Sequence, residues 1–250
     1  MPVVLSLLAH PDDAEFLCAG TLIRLAQNGW TVHLATMTPG DCGSAELDPD
    51  TIAGIRRAEA AASAAQIGAS YHCLEERDLR VLVTESALEK VVRLMRQTRA
   101  DLILTHSPAD YHLDHEMCST LTRAAAFAAA VPNFQDRQGQ MRPLERVPHL
   151  YYCDPLEGVD ALGREITPGF RIDISCVIDQ KSQMLAAHAS QREWLLKHHG
   201  VDHYIVAMRE WSQRRGQEAG VAFAEGFRQH LGHSYPRNNW LAEVLGICGN

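Results

Sequence analysis

Short, continuously apolar segments alternate with longer segments of helical periodicity through the first half of the chain. Apolar runs of roughly four to eight residues are typical of strands buried on both faces of a sheet, and apolar residues at every third or fourth position indicate amphipathic helices. The predicted strands are Val3–Ala9, Thr31–Thr38, Ser70–Leu74 and Asp101–Thr105. The predicted helices are Glu15–Asn28, Thr51–Ile67, Glu85–Arg99 and Asp114–Ala130.

This strict alternation of strand and helix predicts an α/β fold. Right-handed helical crossovers between parallel strands give a Rossmann-like, mostly parallel sheet with helices on both faces. Ligands of such sheets bind beyond the carboxyl ends of the strands. If the first and fourth predicted strands are neighbours, the residues that follow each of them lie side by side at that edge.

The second half of the chain is less regular, and a surface loop is predicted over Val131–Pro148 because of its three prolines and many polar residues. Two more strands and three helices are predicted beyond it: His149–Cys153, Phe170–Ser175, Val177–His188, Tyr204–Arg215 and Val221–Leu231. Residues 177–250 are therefore expected to be mostly helical. No composition change marks a second domain, so we expect residues 1–250 to form a single domain.

Net charge, cysteine number and the length of the apolar runs limit which partners and which cellular compartment we expect. The net charge of −8 gives no basic footprint for nucleic acid. The seven cysteines are odd in number and never form a CxxC pair, which favours reduced thiols in a cytoplasmic protein. No apolar run approaches the roughly 18 residues that a membrane span needs. We expect no nucleic-acid partner, no membrane span and a homo-oligomer.

Two polar stretches interrupt the apolar pattern at the predicted ligand-binding edge. Ala9-His10-Pro11-Asp12-Asp13-Ala14-Glu15 joins the first strand to the first helix, where packing has no use for an imidazole and three carboxylates. His112-Leu113-Asp114-His115 follows the fourth strand, and one helical turn places its two histidines on the same face. Imidazole and carboxylate are zinc ligands. The two stretches therefore predict one metal site.

A catalytic zinc site uses three protein ligands and keeps one position for water. His10, Asp13 and His115 would supply two nitrogens and one oxygen. Asp12 would then lie close to the metal without binding it, as a general base for the water must. The prediction is a metal-dependent hydrolase with Asp12 as its base.

Two further residues of the second stretch have predicted roles. His112 would protonate the leaving amine or stabilise the oxyanion. Asp114 would orient a ligand histidine through its other ring nitrogen. A different explanation is that the first stretch is only a capped turn, with Pro11 at the first helical position and an aspartate as N-cap.

The two stretches resemble the LmbE-like, or PIG-L, deacetylase family. Two further segments carry the resemblance, which extends from about residue 3 to about residue 230: Arg56-Arg57-Ala58-Glu59-Ala60, and Lys181 with His188-Ala189-Ser190-Gln191. The family comprises Rossmann-like zinc hydrolases that remove an acetyl group from N-acetylglucosamine-type amides. The resemblance implies Zn²⁺ as cofactor, an N-acetyl amino sugar as substrate, the roles already given, and Arg56 as a contact to the substrate.

Two departures from the family pattern concern the second stretch. The commoner H-P-D-H is H-L-D-H here, and the tyrosine often found two residues before the first histidine is replaced by Tyr111, which adjoins His112. A role for Tyr111 as an oxyanion donor is not predicted for this reason.

Other interpretations stay open at this point. The same site could hydrolyse a non-sugar amide, and Fe²⁺, Mn²⁺ or Co²⁺ could replace zinc. A nucleotide-binding module without catalysis is disfavoured, because the first strand is not followed by G-x-G-x-x-G. The later histidines His198, His199 and His203 are expected on a solvated face, and the tryptophans in the core or in subunit contacts: Trp194, Trp211 and Trp240.

Overall fold

One twisted sheet organises the computed structural model, which describes residues 1–134, 141–192 and 203–249. Its strands are β1 (Val3–Leu8), β2 (Thr31–Thr36), β3 (Ser70–Cys73), β4 (Leu102–Thr105), β5 (His149–Cys153), β6 (Phe170–Asp173) and β7 (Ala224–Gln229). The helices are α1 (Asp13–Leu17), α2 (Ala19–Gln27), α3 (Pro49–Ala65), α4 (Glu85–Thr98), α5 (Leu113–Ala128), α6 (Ile178–Ala186), α7 (His203–Ala219) and α8 (Trp240–Leu245). A 3-10 turn spans Leu156–Gly158.

The strand order is β3-β2-β1-β4-β5-β7-β6. The first five strands of that order run parallel, and β7 is antiparallel to both β5 and β6. The chain moves outward from β1 to β3 and then returns to add β4 on the other side of β1. The prediction of a Rossmann-like, mostly parallel sheet is confirmed, and the carboxyl ends of β1 and β4 are adjacent, with Leu7 paired to Thr105.

Helices cover both faces of the sheet, as the apolar runs predict. Val4 and Leu8 of β1 face a core shared with α2, α6 and α7, whereas Leu5 and Leu7 face a core shared with α4 and α5. All four side chains are fully buried. A strand that is buried on both faces holds the loop at its carboxyl end rigidly, and the first polar stretch lies in that loop.

Two local predictions differ from the structure. The helix predicted over Glu15–Asn28 is divided into α1 and α2 at Cys18, whose backbone (φ −145°) is not helical. The helix predicted over Val221–Leu231 is wrong, because this segment contains strand β7.

The error at β7 has a physical cause. Phe223 and Phe227 are four residues apart, a spacing that fits one helix face as well as one side of a strand. Strand pairing determines that this segment is a strand, since β7 hydrogen-bonds to β5 on one side and to β6 on the other. Residues 177–250 are therefore less helical than expected. Residues 135–140 of the predicted surface loop lie outside the described part of the chain.

Within residues 1–134, 141–192 and 203–249, no helix is both long and apolar enough to cross a membrane. All seven cysteines are free thiols.

Candidate metal centre and its cavity

The three predicted metal ligands converge at the carboxyl ends of β1 and β4. His10 follows β1, Asp13 begins α1, and His115 lies in the first turn of α5. A ligand atom from each of the three lies within 4.8 Å of the other two. His10 Nδ1 is 3.3 Å from Asp13 Oδ2, and His115 Nε2 is 3.6 Å from Asp13 Oδ1. Two imidazole nitrogens and a carboxylate are a donor set that Zn²⁺ takes in catalytic sites.

A carboxylate stands behind each of the two histidines. Asp114 Oδ2 is 3.2 Å from His10 Nε2, and Asp110 Oδ1 is 3.0 Å from His115 Nδ1. Such partners fix the tautomer and the orientation of a metal-binding histidine. Asp114 occupies the position predicted for it, and the backbone N–H of Leu79 holds its carboxylate at 2.6 Å. Sequence reasoning missed Asp110, although an acidic residue five positions before His115 in the same loop was a usable signal.

The electrostatics of the three residues favour a cation. Burial alone would raise the pKa of Asp13, but His115 and His106 hold that pKa well below its usual range. Burial alone would lower the pKa of His10, but hydrogen bonds to Asp114 and Asp13 outweigh it and raise the pKa to about 10. Asp13 therefore stays ionised and the His10 site draws positive charge. The residues present fit a divalent metal ion.

Asp12 is held in an unusual backbone conformation. Its φ of 98° lies in the left-handed region, which costs a non-glycine residue on the order of 1–3 kcal/mol and tends to occur at functional sites. Asp12 stands at the N-cap position of α1 but makes no side-chain capping bond. Its Oδ2 instead accepts hydrogen bonds from Tyr204 Oη at 2.6 Å and Arg56 Nη2 at 3.2 Å. The capped-turn explanation is therefore wrong for this residue.

Arg56 lies behind Asp12. Its side chain is 4% exposed, and Nη2 also donates to the Pro11 carbonyl at 2.7 Å. Gly40, at φ 79°, packs so closely against the guanidinium that any side chain there would collide with it. Burial raises the pKa of Asp12, and the charge of Arg56 opposes that rise. A contact between Arg56 and substrate stays a prediction.

His112 is the N-cap of α5. Its Nδ1 accepts a hydrogen bond from the backbone N–H of Asp114 at 3.1 Å. A neutral His112 ring consequently carries its proton on Nε2, which is the nitrogen left to act as a donor. The ring lies 5.0 Å from His10 and 4.8 Å from His115 between centroids. Tyr111, half exposed, presents its ring edge-on to both His112 and His115.

The other segments of the family resemblance brace this site. Glu59 accepts hydrogen bonds from the backbone N–H and the hydroxyl of Ser190, at 2.8 and 2.6 Å. Gln191 donates to the Gly43 carbonyl at 2.8 Å. The buried His188 lies 3.3 Å from Glu15, which also accepts a hydrogen bond from Ser63. Glu15 thus joins α1 to α3 and to the segment after α6.

A cavity of about 710 Å³ opens beside the candidate metal ligands. It is lined by Asp12, Asp13, Phe16, Leu17, Tyr111, His115, Leu156, Glu157, Tyr204, Ala207, Glu210, Trp211 and Arg214. Trp211, which was expected in the core or in a subunit contact, lines this cavity and is partly exposed, and a subunit contact stays a prediction. Sequence reasoning also missed Tyr204, which is far from Asp12 along the chain and has no motif around it. Trp194, His198 and His199 lie outside the described residues, as does the side chain of His203.

Comparisons with known proteins agree with this arrangement. Residues 5–126 match the family model described as PIG-L, GlcNAc-PI de-N-acetylase. The 1D-myo-inositol 2-acetamido-2-deoxy-alpha-D-glucopyranoside deacetylase of Rhodococcus jostii is 28% identical over 236 residues, covering 73% of this chain and 79% of that protein. The 4-oxalmesaconate hydratase of Pseudomonas putida is 24% identical over 194 residues, covering 73% and 71%.

A solved structure shares the fold. N,N'-diacetylchitobiose deacetylase from Pyrococcus horikoshii superposes with a TM-score of 0.79 at 23% identity, covering 95% of this chain and 88% of that one. The resemblance noted from the sequence motifs is confirmed: residues 5–126, close to half of the chain, match the PIG-L (LmbE-like) family.

Proposed function

We propose that this protein is a metal-dependent N-deacetylase that removes the acetyl group from an N-acetylglucosamine-type amide, with Zn²⁺ as its metal. One observation carries the proposal. Three candidate ligand residues converge, and a second carboxylate, that of Asp12, lies beside them without being one of them. Tyr204 and Arg56 restrain it in a cavity of sugar size. Deacetylases among the similar proteins support the choice of an acetamide.

His10, Asp13 and His115 would hold the metal, with Asp114 and Asp110 fixing the two imidazoles. A divalent ion held there supplies Lewis acidity that activates a water nucleophile and polarises the amide carbonyl.

Asp12 is the proposed general base. Both hydrogen bonds from described residues fall on Oδ2, so we assign Oδ1 as the atom that accepts the proton of the attacking water. The water oxygen bonds to the carbonyl carbon, and the developing oxyanion accepts a hydrogen bond from His112 Nε2. Asp12 then returns its proton to the nitrogen as the C–N bond breaks. Acetate and a free amino sugar leave.

A hydratase is the second candidate, favoured by the similarity to the Pseudomonas putida enzyme. The same base and metal could activate water for addition to a carbon–carbon double bond. A substrate rich in carboxylates would need cationic side chains around it. Among the described cavity residues, four carboxylates and one arginine line the wall, which favours the deacetylase.

The test measures metal content and acetate release on the same purified sample, with N-acetylglucosamine conjugates, N-acyl amino acids and an unsaturated polycarboxylate as substrates. We expect one metal ion per chain and acetate from the sugar conjugates. Asp12→Asn should keep the metal and lose roughly 10²–10⁴-fold in kcat, the usual value of general acid–base catalysis. His115→Ala should lose the metal.

Asp50→Asn, on the exposed first turn of α3, is the matched control and should change neither quantity. Full activity of Asp12→Asn would refute the assigned base, and hydration of the polycarboxylate without acetate release would favour the second candidate. The expected homo-oligomer and cytoplasmic location stay predictions, which light scattering and cell fractionation can check.

A further inference from the structure

One face of α7 forms a wall of the cavity. Tyr204, Ala207, Trp211 and Arg214 all line it, and their spacings of three, four and three residues place them in one row along the helix. Tyr204, at one end of the row, hydrogen-bonds to Asp12. A ligand that extends away from the candidate metal centre would therefore run along this face of α7.

The middle of the wall is apolar and held in place. Trp211 lies in the row, and Phe16, Leu17 and Leu156 line the cavity with it. The guanidinium of Arg215 lies 4.4 Å from the centre of the Trp211 ring and fixes its orientation. An apolar bed next to an aromatic ring suits the C–H face of a pyranose, since such rings combine apolar area with a polar rim.

Two exposed carboxylates also line the cavity. Glu157, in the 3-10 turn, and Glu210, on α7, both line the cavity and are exposed. Burial is the main cause of the raised pKa of Tyr111, and the charge of Glu157 adds to that rise after the charges of three aspartates, so Glu157 lies near this phenol. Neither glutamate forms an ion pair with any residue that the structure describes. Arg214, the arginine in the described lining, lies 3.8 Å from Glu218 of its own helix and over the Trp211 ring.

We infer that Glu157 and Glu210 determine specificity, and that they select an acetylated amino sugar whose adjoining residue carries an amine over one whose adjoining residue carries a carboxylate. The inference rests on the proposed deacetylase function and specifies its substrate class. An ammonium next to the acetamide sugar would meet two carboxylates that have no other described partner, and a carboxylate there would be repelled by both. Both effects occur at an exposed wall, so salt should weaken them.

The experiment compares three β-linked disaccharides that carry the same N-acetylglucosamine and differ in the second sugar: glucosamine, glucose or glucuronate. Acetate release gives kcat/KM for each at low ionic strength. We expect the glucosamine conjugate to exceed the glucuronate conjugate by roughly tenfold, with the glucose conjugate between them. In the double variant Glu157→Gln/Glu210→Gln, that ratio should fall by most of this factor, and the glucose conjugate should change less than about twofold, since exposed pairs are individually weak.

Glu145→Gln/Glu243→Gln is the matched control. Glu145 precedes β5, and Glu243 lies on α8, whose Trp240 ring contacts His149 at the start of β5. Both therefore lie near the amino end of a strand, whereas the cavity lies at the carboxyl ends. This control should leave the ratio unchanged. A wild-type ratio near one, or a ratio that persists in Glu157→Gln/Glu210→Gln, overturns the inference while acetate release upholds the deacetylase. No acetate from any of the three overturns the proposed function itself.

Discussion

Two buried polar clusters in this protein are built on opposite principles. In the first, Lys181 and Glu225 form an ion pair of 2.7 Å at 2% exposure or less. The Glu225 oxygens also accept the backbone N–H groups of Gly20 and Thr21 at the start of α2. Every charge in this cluster has a partner supplied by the protein. It is a brace that joins α2, α6 and β7.

The candidate metal centre lacks that balance. Asp12, Asp13, Asp110 and Asp114 crowd around imidazoles, and Arg56 is the one arginine or lysine in contact with them among the described residues. Asp13 faces histidine nitrogens, which can be acceptors as readily as donors. A buried cluster whose charges match is a structural element, and one with surplus acceptors needs a ligand to be stable. Charge pairing therefore separates a structural cluster from a functional one more clearly than the degree of burial does.

Breaking the brace should give the largest effect. Lys181→Met removes the ammonium and leaves Glu225 buried with two backbone donors, which should lower the free energy of unfolding by about 3–5 kcal/mol. Chemical denaturation measures it. Arg142→Met, which breaks an exposed pair with Glu145, is the control and should cost less than about 0.5 kcal/mol.

A double-mutant cycle sharpens this test. If the cluster is a matched pair, Lys181→Met/Glu225→Gln should be more stable than the sum of the two single changes predicts. Simple additivity would show that Lys181 and Glu225 do not act together.

Much of the fold could be predicted because its determinants are local. The apolar run Val3–Leu8 and the apolar segment around β4 required buried strands, and alternation with helices required a parallel sheet. The convergence of His10, Asp13 and His115 could be predicted for the same reason: each closely follows such a strand or lies at the start of the next helix. Local sequence was sufficient wherever a residue is placed by the backbone next to it.

What could not be predicted depends on contacts that are distant along the chain. Strand β7 owes its form to pairing with β5 and β6, and its own periodicity was ambiguous. Tyr204 reaches Asp12 from a helix 192 residues later. Arg56 was expected to touch substrate, yet its contacts to Pro11 and Asp12 follow from the packing of α3 behind α1. Nothing in the local sequence carries such information.

The next largest effect is expected at the candidate metal centre, where carboxylates outnumber the cations of the protein. Asp110→Asn and Asp114→Asn each remove a charge next to a proposed ligand histidine, and each should weaken metal affinity roughly 10–100-fold. Competition with a chelator measures it. Asp179→Asn, an exposed residue that pairs with Arg209, should have no effect. Unchanged affinity in both site variants would mean that these carboxylates serve the fold alone.

A smaller effect should come from the hydroxyl that restrains Asp12. Tyr204→Phe keeps the ring and its packing but removes the 2.6 Å hydrogen bond, so kcat should fall roughly tenfold while KM stays within about twofold. Tyr235→Phe is a close match, because Tyr235 has the same 8% exposure and donates to the Arg123 carbonyl away from the site. Equal changes in kcat for the two variants would contradict a positioning role for Tyr204.

The smallest expected effect concerns two imidazoles that form a hydrogen bond with each other. His33 Nδ1 lies 3.0 Å from His72 Nε2 on neighbouring strands. Burial lowers the pKa of both rings, and the charge of His72 lowers the pKa of His33 further. The unfolded chain therefore binds protons more readily, so the stability from this pair is fully present above the unfolded pKa of about 6.5 and is lost as the pH falls from there through the lower folded pKa.

Because both rings are partly open to water, the loss should stay at about 0.5 kcal/mol or less. The measurement is the difference in unfolding free energy between wild type and His33→Gln/His72→Gln at pH 7.5 and at pH 5.5. Glutamine keeps hydrogen-bonding capacity without titrating, so the variant should lose less stability on acidification than wild type. Parallel pH profiles for the two proteins would show that the pair stays neutral, or is equally protonated, in the folded and unfolded states. Unlike the matched ion pair of Lys181 and Glu225, two like imidazoles can satisfy each other only as donor and acceptor, and that arrangement is lost once both rings are protonated.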